Sequence, residues 1–320
     1  MALFGNGRRH AQSDSKSGFN FTSILYLLSG MLVVACVLIV VFTSINNNSV
    51  KNSNDEPTEF VEQKTKYIKK GEIISINDPA MGTIEIEAVE GFAKNTYDND
   101  SFFIDENGMM TYYIDDEVAS CMGVDLSEFQ GEVDFEKVKE QGFTFVILRI
   151  GGRYYSQEGG MYVDTNLHNY YKGARDAGLK VGGYFFSQAT NEEEGLEEAE
   201  YALNQIRGMK FDYPIAFDWE IIEGDTARTD GVTGESLTDA AIAFCDTIEE
   251  NGFKSIIYSN TNLMYYKYDL ERLKDYEFWI ADYENHPSMY YNFTMWQYNI
   301  EGEVDGISGP VDMNICMKNY

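Results

Sequence analysis

The sequence predicts an α/β protein: an irregular (β/α) barrel of about eight strands with fewer helices, preceded by a transmembrane helix and a small β-rich stalk. Three observations predict it. Residues 24–42 form an uncharged apolar run of membrane-crossing length. Short strand-like runs fill residues 67–119. From residue 120 to 320, apolar β-branched runs alternate with amphipathic helical ones, and the alternation tightens in the last third. With 44% hydrophobic residues in 320, a sizeable core is available. Asp and Glu number 53 against 24 Lys and Arg, a net charge of −29. That excludes a nucleic-acid partner, whose phosphates need cations, and leaves the oligomeric state open.

Residues 1–20 carry Arg8, Arg9 and Lys16 against Asp14 alone and read as a cytoplasmic tail. Residues 21–43 form the membrane helix: ILYLLSGMLVVACVLIVVF at 24–42 spans roughly 28 Å, enough to cross a bilayer core. A cleaved signal peptide would have a shorter apolar region ending in small residues, whereas this one ends Phe42-Thr43-Ser44. Val33-Val34-Ala35-Cys36 loosely fits a lipobox, but large apolar residues follow Cys36 where a polar tether would start. The positive-inside rule then predicts a single-pass protein of the cell membrane, its N-terminus cytoplasmic and everything after residue 44 extracellular. Residues 44–66, opening with SINNNSVKNSNDEPT, read as a flexible tether. In the 67–119 module, TIEIEA at 83–88 alternates with period two, and FFI (102–104) and MTYY (110–113) flank the turn signal D-E-N-G.

In the 120–320 domain, GVDL (123–126) is a short strand followed by a helix near 134–142. FTFVILRI (143–150) reads as a strand buried on both faces. A helix at 166–177 stops at Gly178, strand 181–188 follows, and a capping box at 190–193 opens a helix ending near Gly208. Strand 214–220, helix 237–250 and strand 254–260 continue the alternation. Strand candidates at 278–283, 294–298 and 311–316 stand too close together for helical crossovers, so their joins are loops or hairpins. Cys245 lies on an apolar helix face. Cys121 and Cys316 flank the domain and could pair, although so sparse a set does not suggest a disulfide framework. No C-x-x-C or H-E-x-x-H occurs, and His10, His168 and His286 are scattered, so neither metal nor cofactor is expected.

Barrels of this kind do chemistry at the carboxyl ends of their strands, where the acids are Asp125, Asp218, Glu220, Asp282 and Asp312. In Ala216-Phe217-Asp218-Trp219-Glu220, strand geometry points Asp218 and Glu220 to one face, roughly 6.6 Å apart at Cα. The apolar lead-in Pro214-Ile215-Ala216-Phe217 argues against a surface strand end. Two carboxyls sharing a cavity oppose each other's ionisation, so one holds its proton near neutrality, as glycosidic cleavage requires. Asp125 on the first strand and Asp312 on the last meet across the seam of a closed barrel. Asp282, Tyr283, Trp296 and Gln297 supply hydrogen-bonding and aromatic groups suited to a sugar. Tyr154, Tyr155, Tyr184, Phe186 and Tyr258 are further candidates for lining a groove, in a chain with 23 Tyr and 20 Phe. Arg149 can pair with a site carboxylate or sit in a structural ion pair.

Residues 120–320 resemble family 25 of the glycoside hydrolases, the muramidase type of lysozyme. The resemblance rests on GVDLSEFQG (123–131), VGGYFFSQA (181–189), PIAFDWE (214–220), WIADY (279–283), MWQY (295–298) and VDMN (311–314). It implies hydrolysis of the β-1,4 bond from N-acetylmuramic acid to N-acetylglucosamine in peptidoglycan glycan strands. It also implies Glu220 as proton donor, Asp218 as its partner, and Asp125 and Asp312 as the other acids of the site. Two other readings stay open: a non-catalytic glycan-binding or scaffold protein on the same barrel, and a chitinase-like glycosidase. The chitinase reading lacks its longer acidic run, since Tyr213-Pro214-Ile215-Ala216 stands there.

Overall fold

The computed structural model describes residues 65–78 and 81–320; the expected cytoplasmic tail, membrane helix and most of the tether lie outside them. Among the described residues, no helix is long and apolar enough to cross a membrane. The first strands among the described residues are the antiparallel pair β1 (Ile73–Asp78) and β2 (Gly82–Glu87). A second small sheet follows, β3 (Phe102–Ile104), β4 (Met110–Ile114) and β5 (Glu117–Val118), its first hairpin turning at the D-E-N-G signal.

The barrel begins at β6 (Cys121–Leu126) and α1 (Phe135–Glu140). It continues through β7 (Phe145–Arg153), β8 (Met161–Val163), α2 (Leu167–Asp176), β9 (Lys180–Ser187), α3 (Glu192–Gln205), β10 (Ile215–Trp219) and α4 (Gly234–Glu250). Then come β11 (Ser255–Asn260), the short α5 (Thr261–Tyr266), β12 (Phe278–Ala281), β13 (Met295–Gly302) and β14 (Val311–Cys316). Eight strands close the ring, because β6 pairs with both β7 and β14, while β8 hangs on β7 as an antiparallel edge. Neighbours from β6 to β13 run parallel; β14 runs antiparallel to both of its neighbours. The reversal follows from the short join after β13, which has room for a hairpin and none for a crossover. Helix α2 ends as expected: Gly178 takes φ 74°, a left-handed conformation that glycine adopts without a Cβ clash.

Period two sorts the strands into two cores. Phe145, Ile147, Ala216, Ile256, Tyr258, Trp279, Ala281 and Met295 fill the barrel interior, and their sequence neighbours face the helices. Gly123 is required at its position, since a Cβ there would stand 2.2 Å from the Phe145 ring. Cys121 and Cys316 are directly opposed on β6 and β14, both as free thiols.

From β12 to β14 the barrel has no helical cover on its outer face among the described residues, and the segment before the barrel (residues 65–120) supplies it instead. Phe92 packs on Phe278 (5.8 Å between ring centres), Tyr97 on Phe293 (5.0 Å), and Phe102 edge-on against Trp296 (5.3 Å). The Tyr298 hydroxyl accepts from the Met110 amide and donates to the Gly108 carbonyl. The β-rich segment therefore covers the outer face of the barrel wall and is not a stalk standing clear of it. Replacing the buried Phe92 with Ala is expected to cost about 3–5 kcal/mol. Urea unfolding followed by both far-UV signal and tryptophan fluorescence should show one transition at lower denaturant; a separate early step confined to the β-rich segment would refute this coupling.

Candidate active site

Four acids converge at one end of the barrel. Asp125 lies near the carboxyl end of β6, Asp218 near that of β10, and Glu220 immediately follows β10. Asp312 reaches the same end by the opposite route: on antiparallel β14 it is the second residue, in register with Asp125. With Tyr184, Tyr258, Trp279 and Gln297 they line a pocket of about 80 Å³. Each pair has one buried member (Asp125, Asp218) and one partly exposed member (Asp312, Glu220).

Asp218 and Glu220 hydrogen-bond to one another through their side chains. Burial, then the neighbouring charges of Glu220 and Asp125, push the Asp218 carboxyl well above its usual range, against the pull of Arg149. Burial likewise raises Glu220, partly offset by its bond to Asp218. Across the seam, burial and the charge of Asp312 raise Asp125 well above its ordinary value, and burial raises Asp312. Two carboxyl–carboxylate couples thus face one cavity, each able to keep a proton where an exposed acid would have lost it. Oδ1 of Asp218 is buried without a hydrogen-bond partner in the protein.

Of the other residues expected at the site, Gln297 and Tyr184 line the pocket, and the Tyr283 hydroxyl at its rim donates to Gln297 Oε1 (2.8 Å). Phe186 shares the inner face of β9 but does not line the pocket. Trp296 and Asp282 are corrections. On β13, Met295 and Gln297 point inward, so Trp296 points outward; it is fully buried against Phe102 and donates its indole N–H to the Asp282 carbonyl. On β12, Trp279 and Ala281 take the inner face, leaving Asp282 outside, where its carboxylate accepts from Ser288 N and Oγ (both 2.7 Å) and pins the following loop. Arg149 takes its structural alternative, bound to Asp164 (2.7 Å) and Glu128 (3.1 Å).

Trp279 and Asn314 belong to the site, although in sequence they stood only inside the WIADY and VDMN runs and were given no role of their own. Trp279 Nε1 donates to Asn314 Oδ1 (2.8 Å), and Asn314 Nδ2 donates to Asp125 Oδ2 (2.8 Å). The signal was available: Asn314 stands two residues from Asp312 on a strand, the same spacing that ties Glu220 to Asp218.

The sequence profile of the family described as Glycosyl hydrolases family 25 matches residues 124–307. Over 194 residues the chain is 32% identical to the autolytic lysozyme of Clostridium acetobutylicum, covering 60% of this chain and 54% of that protein. It is 25% identical over 209 residues to lysozyme M1 of Streptomyces globisporus, covering 62% and 68%. The chain thus spans about half the length of the first of these relatives. Among solved structures, it is similar to the spore cortex lytic enzyme SleM of Clostridium perfringens, with TM-score 0.54 and 25% identity over 65% of this chain and 70% of that one. The autolysin LytC of Streptococcus pneumoniae, solved with a synthetic peptidoglycan ligand, shares the fold at TM-score 0.54 and 20% identity, over 78% and 57%.

Proposed function

The chain belongs to glycosyl hydrolase family 25, and on that premise we propose that it is a muramidase, hydrolysing the β-1,4 bond between N-acetylmuramic acid and N-acetylglucosamine in peptidoglycan strands. The observation that carries the reading is the hydrogen-bonded Asp218–Glu220 pair in the acid-lined pocket, both members raised above the usual carboxylate range. Glu220, the partly exposed member, protonates the departing glycosidic oxygen. Asp218, whose side chain lines the pocket, holds the substrate's acetamido group by accepting its N–H. The acetamido carbonyl oxygen then attacks the anomeric carbon as the glycosidic bond breaks, and water opens the resulting ring. Asp125 and Asp312 shape the opposite wall. Mass spectrometry of muropeptides released by the purified full-length chain tests the reading. Reducing ends on muramic acid are expected; reducing glucosamine, or no release, sinks it.

The membrane anchor is part of the same proposal. A 19-residue uncharged run behind Arg8, Arg9 and Lys16 supports a single retained helix with the barrel outside, where peptidoglycan lies. Protease added to intact cells should remove the barrel while a tag before Phe19 stays protected. Full release of the domain into the medium, with a new N-terminus after residue 30, would show a cleaved signal instead.

A further inference from the structure

We propose that Asn314 and Gln297 are positioning residues for Asp125, two side-chain amides oriented from behind so that both N–H groups converge on one carboxylate oxygen. The effect on rate rests on the muramidase reading; the effect on the carboxyl pair does not.

The orientation of Asn314 follows from chemistry. An indole N–H only donates, so Trp279 Nε1 at 2.8 Å forces the amide oxygen of Asn314 to face it. The Asn314 Nδ2 then faces Asp125 Oδ2 at 2.8 Å. Gln297 is arranged in parallel: its Oε1 takes the Tyr258 and Tyr283 hydroxyls at 2.9 and 2.8 Å, and its Nε2 reaches the same Asp125 Oδ2 at 2.9 Å. Because a tyrosine hydroxyl can donate or accept, the polarity is fixed most firmly on the Trp279–Asn314 arm. Asn314 and Gln297 are themselves buried, at 0% and 3% exposure, so neither amide has bulk water as an alternative partner.

With Oδ2 of Asp125 committed to two donors, its other oxygen is left to share a proton with Asp312, the side chain to which it hydrogen-bonds across the seam. Donors to a carboxylate favour its ionised form, while burial and a neighbouring carboxylate oppose it. The two amides therefore set the pH at which the Asp125–Asp312 pair titrates. The groups facing Asp125 are Asp312 from β14, Asp218 and Glu220 from β10, Tyr184 from β9, Tyr258 from β11, and Tyr283 at the rim. Arg149 of β7 is the cation whose field reaches this cluster, through Asp218.

The test uses the full-length chain with Asn314→Ala, and with Trp279→Phe, which keeps Asn314 but removes the group that orients it. Carbon-13 titration of the Asp125 and Asp312 carboxyls in substrate-free protein reads the pair directly, and kcat/KM against pH reads its effect on rate. Losing one charge-assisted donor should raise the pair's midpoint by about one pH unit or more. A smaller shift of the same sign is expected for Trp279→Phe, with the acid limb of the rate profile moving in step. An unchanged midpoint in folded Trp279→Phe, or an activity loss equal at every pH, overturns the proposal. If Asn314→Ala does not fold, Trp279→Phe decides alone. If the wild type releases no muropeptides, the muramidase reading fails while the titration still decides this one.

Discussion

Glu220→Gln lowers kcat on peptidoglycan by about 10²–10⁴-fold or more, the usual contribution of general acid catalysis. The amide preserves shape and can still hydrogen-bond to Asp218, so the loss falls on chemistry more than on binding. Its pH signature is specific. A proton donor must be protonated to act, so wild-type activity falls as pH rises through the Glu220 pKa. Burial places that pKa above the ordinary value for glutamate, 4.5. The variant has no such proton to lose, and its residual activity should lose that alkaline limb. Steady-state rates against pH, with muropeptide release as readout, check both points; a residual rate within tenfold of wild type would remove Glu220 from the donor role.

Asp218→Asn is expected to cost about 10²–10³-fold, comparable to removing a preorganised electrostatic partner of a transition state. The geometry bears on what Asp218 does. Retaining enzymes that attack with their own carboxylate keep the two groups about 5–5.5 Å apart, and inverting pairs stand roughly 6.5–9.5 Å apart. Here the two side chains are coupled to one another within one pocket, and Asp218 sits at 5% exposure with its Oδ1 buried and unpartnered. Both features suit a group that orients the substrate's own acetamido nucleophile. Substrates with progressively fluorinated N-acetyl groups at the cleaved sugar should therefore react more slowly with each fluorine, as the carbonyl oxygen loses nucleophilicity. A flat series, or a glycosyl ester trapped on Asp218, would overturn substrate assistance.

Much of this protein is determined locally and was legible without coordinates. The run FTFVILRI reads as a strand buried on both faces, and residues 145–150 of it open β7, which is buried along its whole length. The two-residue spacing of Asp218 and Glu220 forces their side chains to one face, and barrel closure makes the first and last strands neighbours, so Asp125 and Asp312 had to approach one another. What local pattern could not decide was which face of each strand turned inward where both faces are apolar. On β12 and the first four residues of β13 (295–298) every inner and outer position is buried, because the β-rich segment covers a wall that helices cover elsewhere. Trp296 and Asp282 therefore look like site residues in sequence and fall on the outer side in space. Trp279 and Asn314, on the inner side, join the site through a hydrogen bond between residues 35 positions apart. Period two relates neighbours along a strand. Only closure of the ring, a contact between segments nearly two hundred residues apart in the chain, decides which parity meets the cavity, and that is a property of the tertiary structure alone.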